Sequence, residues 1–263
     1  MKTLPEGLAN SGAIAIAERL KTISGGKVLD VATETGGFIK VLMNVLKDYS
    51  SFIGIDIVSD DLESARENIT DKTVEFIEMN AASLEFENDV FDTVSIAHSF
   101  HHLTNVEKVL SEIKRVLKPN GYLLIQEPYC DGEQTEAQKA DMLQHHWGAK
   151  IDNIQGIPHN KTFSTQKIKA ILTDLGLKEE EIFESTHYVK CLFCDDTFEC
   201  ENPKNEDIVK YSIKGIESDL ERLKTMKDHP DVGKLRKEGE NIKKMIKEVG
   251  ASSASHLFYI GKK

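Results

Sequence analysis

A chain of 263 residues with 33 Lys plus Arg against 44 Asp plus Glu carries a formal charge of −11, and at 40% hydrophobic and 29% charged residues it is neither disordered nor collagen-like. The acidic balance argues against a partner held mainly through phosphate contacts, so no nucleic acid is expected. No run reaches the roughly 18 apolar residues of a membrane span, and the stretch from Ala13 to Ala17 stops at Glu18 and Arg19, too short for a signal-peptide core, so a cytoplasmic chain with reduced thiols is expected.

Short β-rich runs at Val28–Val31, Ser51–Ile57, Val74–Glu78, Thr93–Ala97 and Tyr122–Gln126 alternate with helical stretches at Gly37–Leu46, Asp60–Asn68 and Asn105–Leu117. Strands that are apolar throughout, in regular succession with helices, predict a parallel sheet covered on both faces. Right-handed crossovers then make the fold doubly wound, with ligands at the carboxyl ends of the strands. Ser24-Gly25-Gly26 ends the first helix, Thr104 with Glu107 reads as a capping box opening the helix at Asn105, and Lys118-Pro119-Asn120-Gly121 stops it.

Beyond Gln126, Glu133–Trp147 reads as helix and Ile151–Phe163 as a loop; Ser164 caps a helix through Leu175. Strands are predicted around Ile182–Val189 and His256–Ile260, for a seven-stranded sheet. Between them Ile208, Ser212, Ile216, Leu220, Leu223 and Met226 share one helical face, and Leu235, Ile242, Met245, Ile246 and Val249 a second. The turn at His229-Pro230-Asp231-Val232-Gly233 makes this a helical hairpin. Residues 1–195 with 251–263 thus read as the main body and 196–250 as an insertion in the same domain. That insertion either simply packs on the core, closes as a substrate lid or forms a homodimer contact.

The first strand runs into Asp30-Val31-Ala32-Thr33-Glu34-Thr35-Gly36-Gly37, a buried strand opening through small residues into a helix N-terminus. Such a turn accepts a nucleotide, because its backbone is approachable and its N–H groups point at the ligand. Asp56, closing the second strand, can accept both hydroxyl protons of a ribose. These pieces alone do not separate a dehydrogenase from other nucleoside-cofactor enzymes.

Further motifs follow in order: Asn80-Ala81-Ala82-Ser83-Leu84, Phe91-Asp92-Thr93-Val94, His98-Ser99-Phe100-His101-His102-Leu103 and Leu117-Lys118-Pro119-Asn120-Gly121. Together the set resembles the class I S-adenosylmethionine-dependent methyltransferases, of the small-molecule type that includes the ubiquinone and arsenite enzymes. The resemblance covers residues 28–127, weakening towards 190, and returns at the terminal strand. It implies a Rossmann-like α/β fold and S-adenosylmethionine as cofactor. By the same resemblance Asp30, Ala32, Thr33, Glu34 and Gly36 line the methionine and ribose side, Asp56 holds the ribose and Ile57 lies beside the adenine. Asn80 and Ala81 face the adenine edge, and Ala97 with His98 lies under the sulfonium. Transfer to a small-molecule acceptor then needs mainly close in-line approach, and a base only where the acceptor must lose a proton.

Two departures stand out. Asn80 replaces the family's usual Asp, and an amide still suits an adenine edge. Glu34 stands where the family favours glycine, which costs about 1 kcal/mol or more if φ is positive. Its carboxylate either pairs with the cofactor's positive charge or points to solvent. The second alternative makes room for a degenerate, non-catalytic binding module, and the extra carboxylate also for another reaction on the same cofactor.

His98, Glu127 and Tyr129 are the candidate catalytic residues, from their place after the fourth and fifth strands. Glu127 reads equally well as a cap for the helix near Glu133. His101 and His102 need no role beyond packing, and His145-His146-Trp147 could wall the acceptor pocket. His187, Cys191, Cys194 and Cys200 make only a weak zinc pattern, because alternate strand residues face opposite ways, so no metal is expected. Cys130 is a lone thiol after the fifth strand. Without [DN]-P-P-[YF] after the fourth strand, methylation of an adenine or glutamine amine is disfavoured.

Overall fold

A computed structural model describes residues 12–185 and 202–263. Cys191, Cys194, Cys200, His187 and the predicted end of the strand at Val189 lie outside the described residues. The chain forms two compact units. The first gathers the described residues up to Glu127 with Gln166–Ser185 and His256–Lys263; the second holds Pro128–Thr165 and the described residues from 202 to Ser255.

In chain order the first unit is built from α1 (Gly12–Leu20), β1 (Lys27–Val31), α2 (Gly37–Val45), β2 (Ser51–Asp56), α3 (Ser59–Asn68), β3 (Val74–Glu78), β4 (Phe91–Ala97), a 3-10 turn (Phe100–His102), α4 (Val106–Val116) and β5 (Leu117–Pro128). Later come α6 (Thr165–Asp174), β6 (Lys178–Ser185) and β7 (His256–Lys262). The seven strands lie in the order β3-β2-β1-β4-β5-β7-β6. β1 pairs in parallel with β2 and β4, β2 with β3, and β4 with β5, while β7 runs antiparallel to β6.

Burial follows from that order. β1, central and covered on both faces, keeps Val28, Leu29 and Val31 out of water, and Ile53, Ile55, Val94 and Ile96 are buried beside them. Strand order reverses between β1 and β4, which opens a crevice at their carboxyl ends. Gly54 in β2 is required by a close approach, since a Cβ there would sit 2.8 Å from the Phe76 ring. The α4 cap departs from the sequence reading. Asn105, not Thr104, is the N-cap, its Oδ1 accepting from Lys108 N at 2.9 Å. Asn, like Thr, can make this bond, and the chain enters the helix one residue later.

The second unit holds α5 (Glu136–Ile154), α7 (Glu206–Thr225) and α8 (Val232–Val249). α5 starts later and runs further than its sequence pattern suggested, through Ile151–Ile154. Its capping box pairs Thr135 with Gln138. The predicted faces of the hairpin are buried: Ile208, Ser212, Ile216, Leu220 and Leu223 on α7, and Leu235, Ile242 and Ile246 on α8. They pack with Trp147 and Ile151 of α5. A Cβ at Gly239 would collide with the Trp147 indole, so α8 can approach α5 only through a glycine. Among the described residues no helix is long and apolar enough to cross a membrane.

Candidate active site

The turn after β1 alternates its backbone hand. Ala32 (φ 54), Glu34 (φ 49) and Gly36 (φ 82) are left-handed, and only the last is glycine. A side chain at Gly36 would also meet Ile69 Cδ1 at 2.8 Å. Two left-handed L-residues in three positions need support from their surroundings. It comes from below: Thr33 Oγ1 donates to Asp30 Oδ2 and Ser95 Oγ to Asp30 Oδ1, both at 2.6 Å. Asp30 is 1% exposed. Burial raises its pKa to about 6 against the lowering effect of the two hydroxyls, with Asp56 adding to the rise.

Asp56 fixes the other side of the turn. Its Oδ2 accepts from Glu34 N at 2.9 Å and its Oδ1 from Ile57 N and Val58 N at 2.7 and 3.1 Å. The carboxylate therefore stands at the mouth of the crevice, oriented by three backbone donors and only half-buried. Ile57 beside it is 68% exposed, an apolar surface left uncovered. Asn80 closes the next loop, its Oδ1 accepting from Ala82 N at 2.9 Å. The Glu34 side chain is exposed, yet partial desolvation and the charges of Asp61 and Asp56 push its pKa up. Asp61 is raised for the same reasons, by desolvation and by Asp56 and Asp60.

The edge formed by β4 and β5 is of another kind. His98 is left-handed (φ 54), its N–H bonded to Gln126 O at 2.8 Å. Burial, then the proximity of His101 and His102, lowers its pKa to about 4, so the ring is neutral at pH 7. The ring stacks on His256 with centroids 4.6 Å apart, and burial, with His98 close by, lowers His256 as well. Gln126 Nε2 lies 3.5 Å from His98 Nε2, while Gln126 Oε1 is buried without a partner among the described residues. Turning the carboxamide over would aim that oxygen at the ring and make His98 the donor.

Glu127 is fully buried. Its Oε2 accepts from Phe100 N at 3.2 Å and its Oε1 lies 2.6 Å from His101 Nδ1. Burial raises its pKa to about 8 against the N–H groups of the 3-10 turn. Glu127 thus caps the turn after β4 rather than the helix that follows it in sequence.

A methyltransferase-domain family model matches residues 29–125. Over 108 residues the chain is 33% identical to the ubiquinone/menaquinone biosynthesis C-methyltransferase UbiE of Hahella chejuensis, covering 40% of this chain and 43% of that one. The Francisella tularensis subsp. novicida UbiE is 35% identical over 107 residues, 39% and 43% of the two chains. The matched region thus spans less than half the length of these curated relatives. Haemonchus contortus phosphoethanolamine N-methyltransferase 2, solved with S-adenosyl-L-methionine, aligns at a TM-score of 0.54 and 19% identity over 95% of this chain and 52% of its own. The YcgJ protein of Bacillus subtilis aligns at 0.52 and 18% over 96% and 97%. Residues 29–125 form a class I methyltransferase domain.

Within this methyltransferase domain the crevice gathers Ala32, Thr33, Glu34, Gly36, Asp56 and Ile57, and Asn80 and Ala81 follow β3, the strand paired with β2. Asp30 lies beneath the turn, its carboxylate committed to Thr33 and Ser95. Ala97 ends β4 and His98 follows it. Tyr129 belongs to the second unit, 2% exposed, with its N–H on Ser255 O at 3.0 Å. Trp147 cannot wall an acceptor pocket: it is fully buried in the helical unit, its indole donating to Leu235 O at 2.9 Å.

Sequence reasoning missed Ser95, Gln126 and His256. A signal existed for two of them. Ser95 is a polar residue inside the run Thr93–Ala97, and Gln126 is the polar end of the run Tyr122–Gln126. Nothing local tied His256 to His98.

Proposed function

We propose that this chain is an S-adenosylmethionine-dependent methyltransferase acting on a small molecule. The observation that carries the reading is the Asp56 carboxylate, oriented by three backbone N–H groups at the mouth of a left-handed turn. The fit to the cofactor is chemical as well as topological. Asp56 accepts from the ribose hydroxyls, exposed Ile57 covers an adenine face, and the Asn80 amide with Ala81 meets its edge. Ala32, Thr33 and Gly36 bring backbone against the methionine portion. Glu34, Asp56 and Asp61 give the mouth a negative potential suited to a cationic ligand.

S-Adenosylmethionine supplies a sulfonium-activated methyl group. His98, neutral above about pH 4, is available to accept a proton from an acceptor that must lose one. Glu127 keeps the 3-10 turn and His101 in place, so it acts through them. The UbiE relatives are C-methyltransferases by name, and a carbon acceptor is therefore the first to test.

Calorimetric titration with S-adenosylmethionine, followed by mass analysis of products formed with candidate acceptors, tests the reading. Saturable binding and a product one methyl heavier support it. Glu34, left-handed and exposed where glycine would relieve strain, favours a second reading as a degenerate module. That reading predicts no heat at millimolar ligand, and cofactor cleavage without methylated product would indicate a different reaction.

A further inference from the structure

A cluster in the helical unit has a geometry that the proposed reaction does not use. His145 and Asp152 lie two turns apart on α5 and so share a face. The chain after α5 turns back through Gly156 (φ 80) and inserts the His159 ring between them. His159 Nδ1 is 2.7 Å from Asp152 Oδ2, and His159 Nε2 is 3.2 Å from His145 Nε2.

The ring is held from several directions. Asn153 Nδ2 donates to His159 O at 2.5 Å, and Ile157 N donates to Asp152 O at 2.9 Å. Arg222 of α7 reaches Asp152 Oδ1 at 2.5 Å and Asp219 Oδ1 at 2.8 Å. The His159 side chain is 10% exposed and that of Asp152 19%.

Asp152 Oδ2 accepts a hydrogen bond from His159 Nδ1–H, the tautomer that leaves the ring's lone pair at Nε2. Two Nε2 atoms facing each other at 3.2 Å share either a proton or a cation. Metal–nitrogen bonds of about 2.0–2.1 Å at a tetrahedral angle place two ring nitrogens roughly 3.3 Å apart. A carboxylate behind an imidazole, itself clamped by arginine, is the arrangement that fixes tautomer and direction in metal-ligating histidines.

We propose that His145 Nε2 and His159 Nε2 bind a divalent transition-metal ion of the Zn2+ type, with Asp152 and Arg222 orienting the second ring and water completing the coordination. This departs from the sequence expectation of no metal, and from the cysteine pattern on which a metal was there considered.

The test is metal content. The full chain, stripped with a chelator, re-equilibrated with Zn2+ and freed of unbound metal, is analysed for zinc, and Co2+ loading is followed by its visible absorption. About one ion per chain is expected in the wild type, falling below roughly a tenth in His145→Ala and His159→Ala. Asp152→Asn should weaken affinity about 10–100-fold. Circular dichroism of the metal-free proteins confirms folding, and His159→Gln replaces the alanine variant if that one fails to fold. Two results overturn the proposal: a folded wild type without stoichiometric metal, as a proton-sharing pair would give, or metal undiminished in both histidine variants, which would place it on other groups such as Cys191 and Cys194.

Discussion

The two halves of the carboxyl edge of the sheet solve opposite problems. At β1 and β2 the crevice is open and anionic, and its decisive carboxylate, Asp56, is half-buried and satisfied by backbone donors. At β4 and β5 the groups are buried and carry little charge: His98 and His256 have lowered pKa values, and Glu127 a raised one. The first edge presents carboxylates and fixed backbone dipoles to solvent. The second holds titratable groups away from water, where burial decides the protonation state. On one edge the polar side chains stand where solvent still reaches them; on the other they are kept from it.

The comparison can be broken most directly at Glu127, where the largest effect is expected. Burial keeps the Glu127 carboxyl protonated until about pH 8, against an ordinary value of 4.5. In the unfolded chain the same carboxyl releases its proton near that ordinary value. The folded state therefore binds more protons across that window, so stability falls as pH rises from about 4.5 to about 8. Glu127→Gln keeps an acceptor for Phe100 N and removes the titration. Its urea midpoint should change much less between about pH 6 and pH 9 than the wild-type one, and parallel curves would show that Glu127 does not hold the proton.

On the opposite edge, Asp56→Ala should weaken S-adenosylmethionine binding by about 1–3 kcal/mol, the worth of charge-assisted hydrogen bonds to the ribose. Calorimetry reads this directly, and unchanged affinity would misplace the ribose. The smallest effect belongs to Glu34→Gly, which relieves a left-handed side chain (φ 49) and should raise stability by about 1 kcal/mol in a denaturant titration. The binding constant of that variant then sharpens the role of the anionic mouth. Looser binding assigns Glu34 to the cofactor's charge, and tighter binding leaves only strain.

Much of the local structure at the ends of β1 and β2 was legible in the sequence, because its parts are close in the chain. Glu34 could be marked as a side chain in a turn that wants glycine, and the structure finds it left-handed. Asp56 closes its strand and bonds the next two N–H groups, Ile57 and Val58. The hairpin faces could be read from 3.6-residue periodicity for the same reason. Asp30 was legible as a residue but not as a support, since Ser95 lies 65 positions away. Trp147 looked available for a pocket because a sequence does not say which side of a helix its neighbours cover.

From the sequence alone came the alternation of strands and helices, the glycine-favouring turn after β1 and the acid that closes β2. Each depends on chemistry within a few residues. The tertiary structure alone decided that Glu127 caps the turn after β4 from 27 positions away, that His256 stacks on His98 and that His159 returns to Asp152 and His145. These pairings arise when distant segments are packed out of water, and burial then sets which of their groups keep a proton.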